Sequence, residues 1–485
     1  MERSTLDEGL LLKPQQGDIN QNQERVSCAL IAQEMKKIGY LAGPMVAVTV
    51  AQLMLQVVSI MMVGHLGELA LSSTALAISI AGVTGFSFLQ GMACALETLC
   101  GQAFGAKQFK KIGTQTYTAI FSLFLICIPI SILWINIKKI LIFFGQDPLI
   151  AHEAGIFITW LLPALFAYAP LHPLVRYFQS QSMIFPLVIS SCFTIIFHVF
   201  ITWFLVFKTS LANRGAAIGL ALSLWSNATI LFLYMRFSPT CEKTRSPLTM
   251  DIFQGIKEFF YFAIPSALMI CLEWWSYELI IVLSGLLPNP QLETSVLSVC
   301  LNTIMTLYAI PYGLGAAVST RVSNELGAGN SQKAKISILS VMLLIFVEII
   351  VVNTTLYSCR NVFGYVFSSD LEVVQYVTRM TPLLCFTMIL DGLQAALTGI
   401  ARGCGWQHIG AYVNLAAFYL CGIPIAIMLS FWQTFGGRGL WIGIVSGSLV
   451  QNSLLAIITF CTNWEKQAMK ATERLSEEKS SPIVC

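Results

Sequence analysis

Apolar residues arrive along this chain in blocks of about twenty, separated by short polar or basic stretches. A helix rises about 1.5 Å per residue, so roughly twenty residues cover the ~30 Å hydrocarbon core of a bilayer. Backbone amides that face lipid without partners are penalised by several kcal/mol each, which excludes irregular chain and open sheet edges and leaves the helix. Twelve blocks read as spans, at residues 41–63, 70–97, 115–137, 154–174, 184–206, 215–235, 259–284, 292–317, 336–357, 378–401, 410–431 and 439–461. Composition agrees, with 56% of residues hydrophobic and only 11% charged, where a soluble domain carries about 25% charged residues. The expected fold is an all-α multi-pass membrane protein.

Basic residues set the expected orientation, because cytoplasmic loops collect Lys and Arg. One side receives Lys36, Lys37, Lys107, Lys110, Lys111, Arg176, Arg236, Lys243, Arg245, Lys257, Arg321, Lys333, Lys335, Arg402, Lys466, Lys470, Arg474 and Lys479. The other receives Lys138, Lys139, Lys208, Arg214, Arg360 and Arg438. Both termini are on the richer side and are expected to be cytoplasmic. Residues 1–33, Gln-rich and polar, read as a disordered tail, and 465–485 as a charged tail with a short fraying helix. The 14 cysteines show no metal-binding or redox spacing, and no phosphate-binding GxxxxGK pattern occurs, so neither a metal, an organic cofactor nor direct use of ATP is expected.

Shifting the chain against itself by about 222 residues brings matching segments together. "GPMVAVTV" falls on "IPSALMIC", with Pro44 on Pro265; "FGAKQFKK" falls on "LGAGNSQK", with Gly105 on Gly327; "NRGAAIG" falls on "GRGLWIG", with Arg214 on Arg438. Each half then carries six spans and enters the membrane with the same orientation. The reading is an N-lobe at 34–237, a charged, proline-bearing linker at 238–253 and a C-lobe at 254–464. Two such lobes around a central cleft are the layout of carriers that bind substrate near mid-membrane between repeats.

Acidic residues deep in the hydrocarbon are functional candidates by default. In "ALMICLEWWSYELIIVLSG", Glu273 lies about 21 Å into the seventh span at 1.5 Å per residue. Asp391 in "FTMILDGLQAAL" reaches a similar depth in the tenth, and no Lys or Arg of the second half stands at matching depth. Poor hydration favours the neutral form of a carboxyl, which suits reversible protonation. Tyr277, one turn from Glu273, and Tyr308, in the eighth span, are candidate cavity residues with Asn302 and with Trp274, whose ring attracts organic cations. Glu278 and Glu348 read as snorkelling or water-facing, His198 as a core histidine, Glu97 and Arg321 as charges near span ends, and Arg176 and Gln179 as belonging to the loop after the fourth span. Pro44, Pro265, Pro311 and Pro382 interrupt spans, and Pro44 and Pro265 are the expected gating bends.

In order along the chain, "ALETLCGQAFGAK", "CLEWWSYE", "STRVSNELGAGN" and "GIARGCGWQ" resemble the multidrug and toxic compound extrusion (MATE) carriers, in particular their plant branch, over nearly the whole length. The resemblance implies antiport of organic, often cationic, small molecules against protons or, less expected here, sodium ions, with acids of the second lobe as the cation and proton site and a polar residue at Asn302. It also exposes a departure: the first span carries uncharged Gln52 and Gln56 where some prokaryotic members place an aspartate. A monomer in the plasma or vacuolar membrane is expected, with no nucleic-acid partner. The alternatives are another two-lobed carrier, such as a lipid flippase or a facilitator, and, less favoured, a membrane enzyme using the two acids, for which no accompanying GxGD or HExxH motif exists.

Overall fold

The computed structural model describes residues 28–247, 249–366 and 370–480, the side chains of 477–480 excepted. All twelve expected spans are helical. They are α1 Cys28–Gly64, α2 Glu68–Gly105, α3 Phe109–Ile135, α4 Pro148–Ser180, α5 Phe185–Phe207, α6 Asn213–Phe237, α7 Ile256–Ser284, α8 built from Pro290–Leu307 and Ala309–Gly327, α9 Ser331–Ser358, α10 Leu371–Cys404, α11 Gln407–Trp432 and α12 Gly437–Cys461. A last helix, α13, covers Trp464–Ser480. Several helices outrun their apolar blocks on the face that carries α13, here the terminal face. Polar turns stay helical there because neighbouring helices satisfy their side chains. Of the tail expected over 1–33, residues 28–33 belong to α1, which is already helical from Cys28, and residues 1–27 lie outside the described residues.

Pro44 and Pro265 sit inside helices that run on through them, so neither divides its span. The bend is at Tyr308, where the two parts of α8 meet at 41°. Pro311 explains it, because its ring displaces the carbonyl four residues back, at Leu307, and it has no amide to donate. Cys94 interrupts α2, and a wider turn at Gly82–Phe86 precedes it. The linker is not slack either. Its Thr244 hydroxyl lies 2.6 Å from that of Tyr177, Ser246 bonds to the carbonyl of Lys110, and Thr118 donates to the carbonyl of Ile252 at 2.9 Å. It is strapped to the first half.

The two halves meet most closely where the ends of α2 and α8 cross. A Cβ on Gly105 would stand 1.9 Å from the carbonyl oxygen of Asn324, and one on Gly327 would stand 2.1 Å from that of Gln102. Gly105 and Gly327 are repeat equivalents, as are Gln102 and Asn324, so the crossing lies on the pseudo-twofold axis. Deeper in the membrane the same device recurs. A Cβ on Gly91 of α2 would meet Ala267 of α7 at 2.8 Å, and one on Gly313 of α8 would meet Val46 of α1 at 2.6 Å.

Beside this crossing lies a buried ion network. Glu97 of α2 holds Arg176 of α4 through Oε1 and Arg402 of α10 through Oε2, each at 2.9 Å, and its side chain is 1% exposed. Arg176 also donates to Gln179 Oε1 at 2.5 Å and to the Tyr312 hydroxyl at 2.9 Å, and Gln179 donates to the carbonyl of Ala316 at 3.0 Å. Thr98 bonds to the carbonyl of Arg402 and accepts from Gln407 at 2.6 Å. The sequence reading of Glu97 as a charge at a span end, and of Arg176 and Gln179 as loop residues, is therefore corrected. Gly, Ala and Thr surround Glu97 and let other helices close over it, so its carboxylate is sealed from water. A second bridge, nearer the surface, joins Glu34 of α1 to Arg321 of α8 at 2.7 Å.

The helix α13 lies across the closed face and touches both halves. Arg474 donates to Gln102 Oε1 at 2.9 Å and sits 4.9 Å from the ring centre of Phe262, Gln108 donates to the carbonyl of Leu475 at 3.3 Å, and Trp464 packs on Trp406. Its own Ala468, Ala471 and Leu475 are buried against the bundle.

Two substitutions test this closure. Gly105→Ala is expected to destabilise by about 1–3 kcal/mol through overpacking, whereas Gly39→Ala, with open space around its Cβ position, should be neutral; thermal unfolding of both in the same detergent compares them. Glu97→Gln leaves two buried guanidinium groups without their counter-charge and is expected to lose roughly 3–5 kcal/mol, with increased labelling of a cysteine placed at Asn324.

Candidate functional site

In the second half, each contributing helix offers polar residues about one turn apart on one face: Glu273 and Tyr277 on α7, Asp391 and Gln394 on α10, Ser448 and Gln451 on α12. The bend at Tyr308 sends that side chain to the same place. Gln394 Nε2 donates to both oxygens of Glu273, at 2.8 and 2.7 Å, while its own Oε1 accepts from the Tyr308 hydroxyl at 3.0 Å. Gln451 Nε2 lies 3.2 Å from Glu273 Oε2 and 2.9 Å from Asn414 Oδ1, and Asn414 donates to the carbonyl of Met269 at 2.6 Å. The Tyr277 hydroxyl faces Asp391 and Ser448. Asp391 is 7% exposed. Trp441, bonded to Thr387 at 3.0 Å, sets its ring 6.5 Å from that of Tyr277.

Among the described residues neither acid has a basic side chain bonded to it. Their partners are amides and hydroxyls, which orient a carboxylate without cancelling its charge. Such a pair can take up and release a proton or hold a monovalent cation.

Of the candidate residues, Glu273, Asp391, Tyr277 and Tyr308 stand together. Asn302 does not join them, because it is exposed and donates to the carbonyl of Ser298 on its own helix at 2.9 Å. Trp274 points away as well and is 39% exposed. Glu278 is part-buried and accepts from Ser79 of α2 at 3.3 Å, which ties the halves together. Glu348 has its Oε2 buried next to Gly392. His198 is a core residue, with Ser59 at 3.1 Å on one ring nitrogen and Ser223 at 2.9 Å on the other. Sequence reasoning passed over Gln394, Gln451 and Asn414. Their signal was the one that marked the acids, a polar side chain in the middle of an apolar block.

The first half holds a neutral counterpart of this site. Asp147 and Asp370 cap the starts of α4 and α10 in the same way. At the other ends, Ser182 and Gly405 both have positive φ and the same pair of closing backbone bonds, from Ser182 to Gln179 and Met183 to Phe178, and from Gly405 to Arg402 and Trp406 to Ala401. This register places Tyr168 on Asp391. The Gly91 and Gly313 contacts place Val46 on Ala267, hence Gln52 on Glu273 and Gln56 on Tyr277, and Phe86 falls on Tyr308. Gln52, Gln56, Phe86 and Tyr168 line one cavity of about 10 Å³ with His172, which is room for about one water. The duplicated scaffold is present twice, and the carboxylates once.

The MatE family profile matches residues 44–204 and 265–428, one match per half, beginning at the two prolines that the repeat superposes. Protein DETOXIFICATION 12 of Arabidopsis thaliana is 58% identical over 91% of this chain and 92% of its own length, and Protein DETOXIFICATION 14 is 59% identical over 92% and 93%. The crystal structure of the eukaryotic MATE transporter AtDTX14 superposes with a TM-score of 0.89 at 58% identity, covering 92% of this chain and 99% of that one. An outward-facing MATE transporter of the MOP superfamily shares the fold, with a TM-score of 0.78 at 15% identity. The chain therefore belongs to the MatE family, in the plant branch of the multidrug and toxic compound extrusion transporters, which are carriers and not enzymes.

Proposed function

We propose that this carrier exports organic, often cationic, compounds by exchanging them for protons, with Glu273 and Asp391 as the coupling acids. The observation that supports the reading most directly is the pairing of two mid-membrane carboxyls with neutral partners alone. Protonation removes negative charge from the site and weakens its hold on a cation, and an arriving cation drives the proton off. Linkage makes the two effects equal and reciprocal. In an apolar segment a carboxyl that carries no basic partner is a functional candidate, and exchange of a proton for a cation is the role proposed for Glu273.

Alternating access then needs the closed terminal face to part. With both termini cytoplasmic, the arrangement described above is sealed towards the cytoplasm by the α2–α8 crossing, the Glu97 network and α13. The acid cluster lies farther along α7 and α10, on the other side of that seal. The DETOXIFICATION relatives carry names that agree with an export role, and the membrane we propose is the plasma or the vacuolar one.

Binding of a fluorescent organic cation to purified protein is expected to weaken as pH falls from about 8 to about 5, by on the order of tenfold per pH unit where one proton is exchanged. The apparent titration belongs to the pair of acids together. A Glu273→Gln, Asp391→Asn double variant should show a flat profile. Gln52→Leu, in the neutral counterpart, should leave the pH dependence as it is, and replacing sodium by choline should change nothing. Binding that is equally tight across that pH range in the unaltered protein overturns proton exchange at these acids.

A further inference from the structure

A cavity of about 770 Å³ opens on the face opposite the termini, between the start of α8, the start of α10 and the turn joining α11 to α12. Its volume is in the range of sites for drug-sized molecules, roughly 300–1,000 Å³. Arg379 and Arg438 line it together with Tyr376 and Phe435, and Glu372 is the carboxylate in the lining.

The walls are held in place. Glu293 Oε2 accepts from the Tyr376 hydroxyl at 2.9 Å and from the backbone amide of Gly437 at 3.0 Å, which fastens α10 to the turn. Glycine is required there: Gly436 has a φ of 58°, and a Cβ on Gly437 would stand 2.4 Å from Glu293. Glu293 is thus occupied as a strut. Arg438 lies 5.5 Å from the centre of the Tyr376 ring. Among the described residues neither Arg379 nor Arg438 makes an ion pair with a carboxylate. Residues 367–369, just before α10, are Phe, Ser and Ser, and bring no acid.

Two guanidinium groups free of carboxylates, at the mouth of a roomy cavity with two aromatic rings, suit a ligand that is flat at one end and anionic at the other. The guanidinium fork matches the paired oxygens of a carboxylate, sulfate or phosphate, and the rings stack with an aromatic body. We propose that this vestibule binds organic anions through such oxygens. It is separate from the acid cluster, since Tyr376 and Asp391 are 15 residues apart on α10, about 22 Å at 1.5 Å per residue. The proposal does not depend on proton exchange, because it concerns binding at a different site by charge of the opposite sign.

Fluorescence anisotropy of carboxyfluorescein with the full chain in phosphatidylcholine nanodiscs tests it. The Arg379→Gln, Arg438→Gln double variant is expected to bind the dye about tenfold or more weakly, while rhodamine 123, a cation of similar flat shape, binds both proteins alike. Arg438→Lys, which keeps the charge without the fork, should fall between. Should the double variant not fold, Arg379→Gln, at an exposed position, carries the test with an expected loss of about threefold or more and a weaker dependence on salt. Adding phosphatidylglycerol distinguishes sources of the anion: displacement of the dye assigns the arginines to a lipid headgroup, and unchanged binding assigns them to a solute. Equal carboxyfluorescein affinity with and without the arginines overturns the proposal.

Discussion

One carboxylate shared between two arginines governs this structure. Removing an ion from water costs several kcal/mol even after relaxation, and only close partners offset it. Glu97 takes one guanidinium from its own half and one from the other, so the arrangement is satisfied only while the halves are together. Around it, Gln179 of α4, Tyr312 of α8, Thr98 of α2 and Gln407 of α11 complete the remaining bonds, and close-packed glycines such as Gly105 and Gly327 bring the backbones together. Separation of the halves at this face would have to hydrate three charges at once. The closed arrangement is thus a distinct state with its own partners, and it does not grade smoothly into an open one.

Repeat symmetry supplies the scaffold on which that lock is built, and its breaking supplies chemistry. The crossing of α2 and α8 uses each half in the same way, glycine against carbonyl in both directions. The lobes differ at mid-membrane. Where the second half presents Glu273, Asp391 and Tyr308, the first presents Gln52, Tyr168 and Phe86, which carry no negative charge. A chain that placed carboxylates in both would have to desolvate twice as many. Placing them once leaves the first half as a close-packed body against which the charged half can be measured.

Much of this is legible in the sequence. The spans, the duplication and the two deep acids follow from block length, self-similarity and the penalty for charge in hydrocarbon, each of which acts locally on the sequence. The setting of Glu97, Arg176 and Gln179 is not legible that way, because depth along a single helix does not show what covers a charge. Whether a charge near a span end reaches water depends on what other helices place above it, and α13 together with the crossing lies above these. Pro44 and Pro265 leave their helices unbroken while Pro311 follows a break, because a proline removes one bond and its neighbours decide whether the helix divides there. At Tyr308 the missing bond coincides with a side chain that another helix pulls towards Gln394. Asn302 looked equivalent to Tyr308 in the sequence, yet it faces outward, which depth alone does not reveal.

The last described helix has a practical consequence. Because α13 grips Gln102 on one side and Phe262 on the other, anything fused behind residue 485 hangs from the element that straddles both lobes. A fluorophore carried there would swing when the lobes part, which makes the C-terminus a good seat for an optical reporter of the cycle.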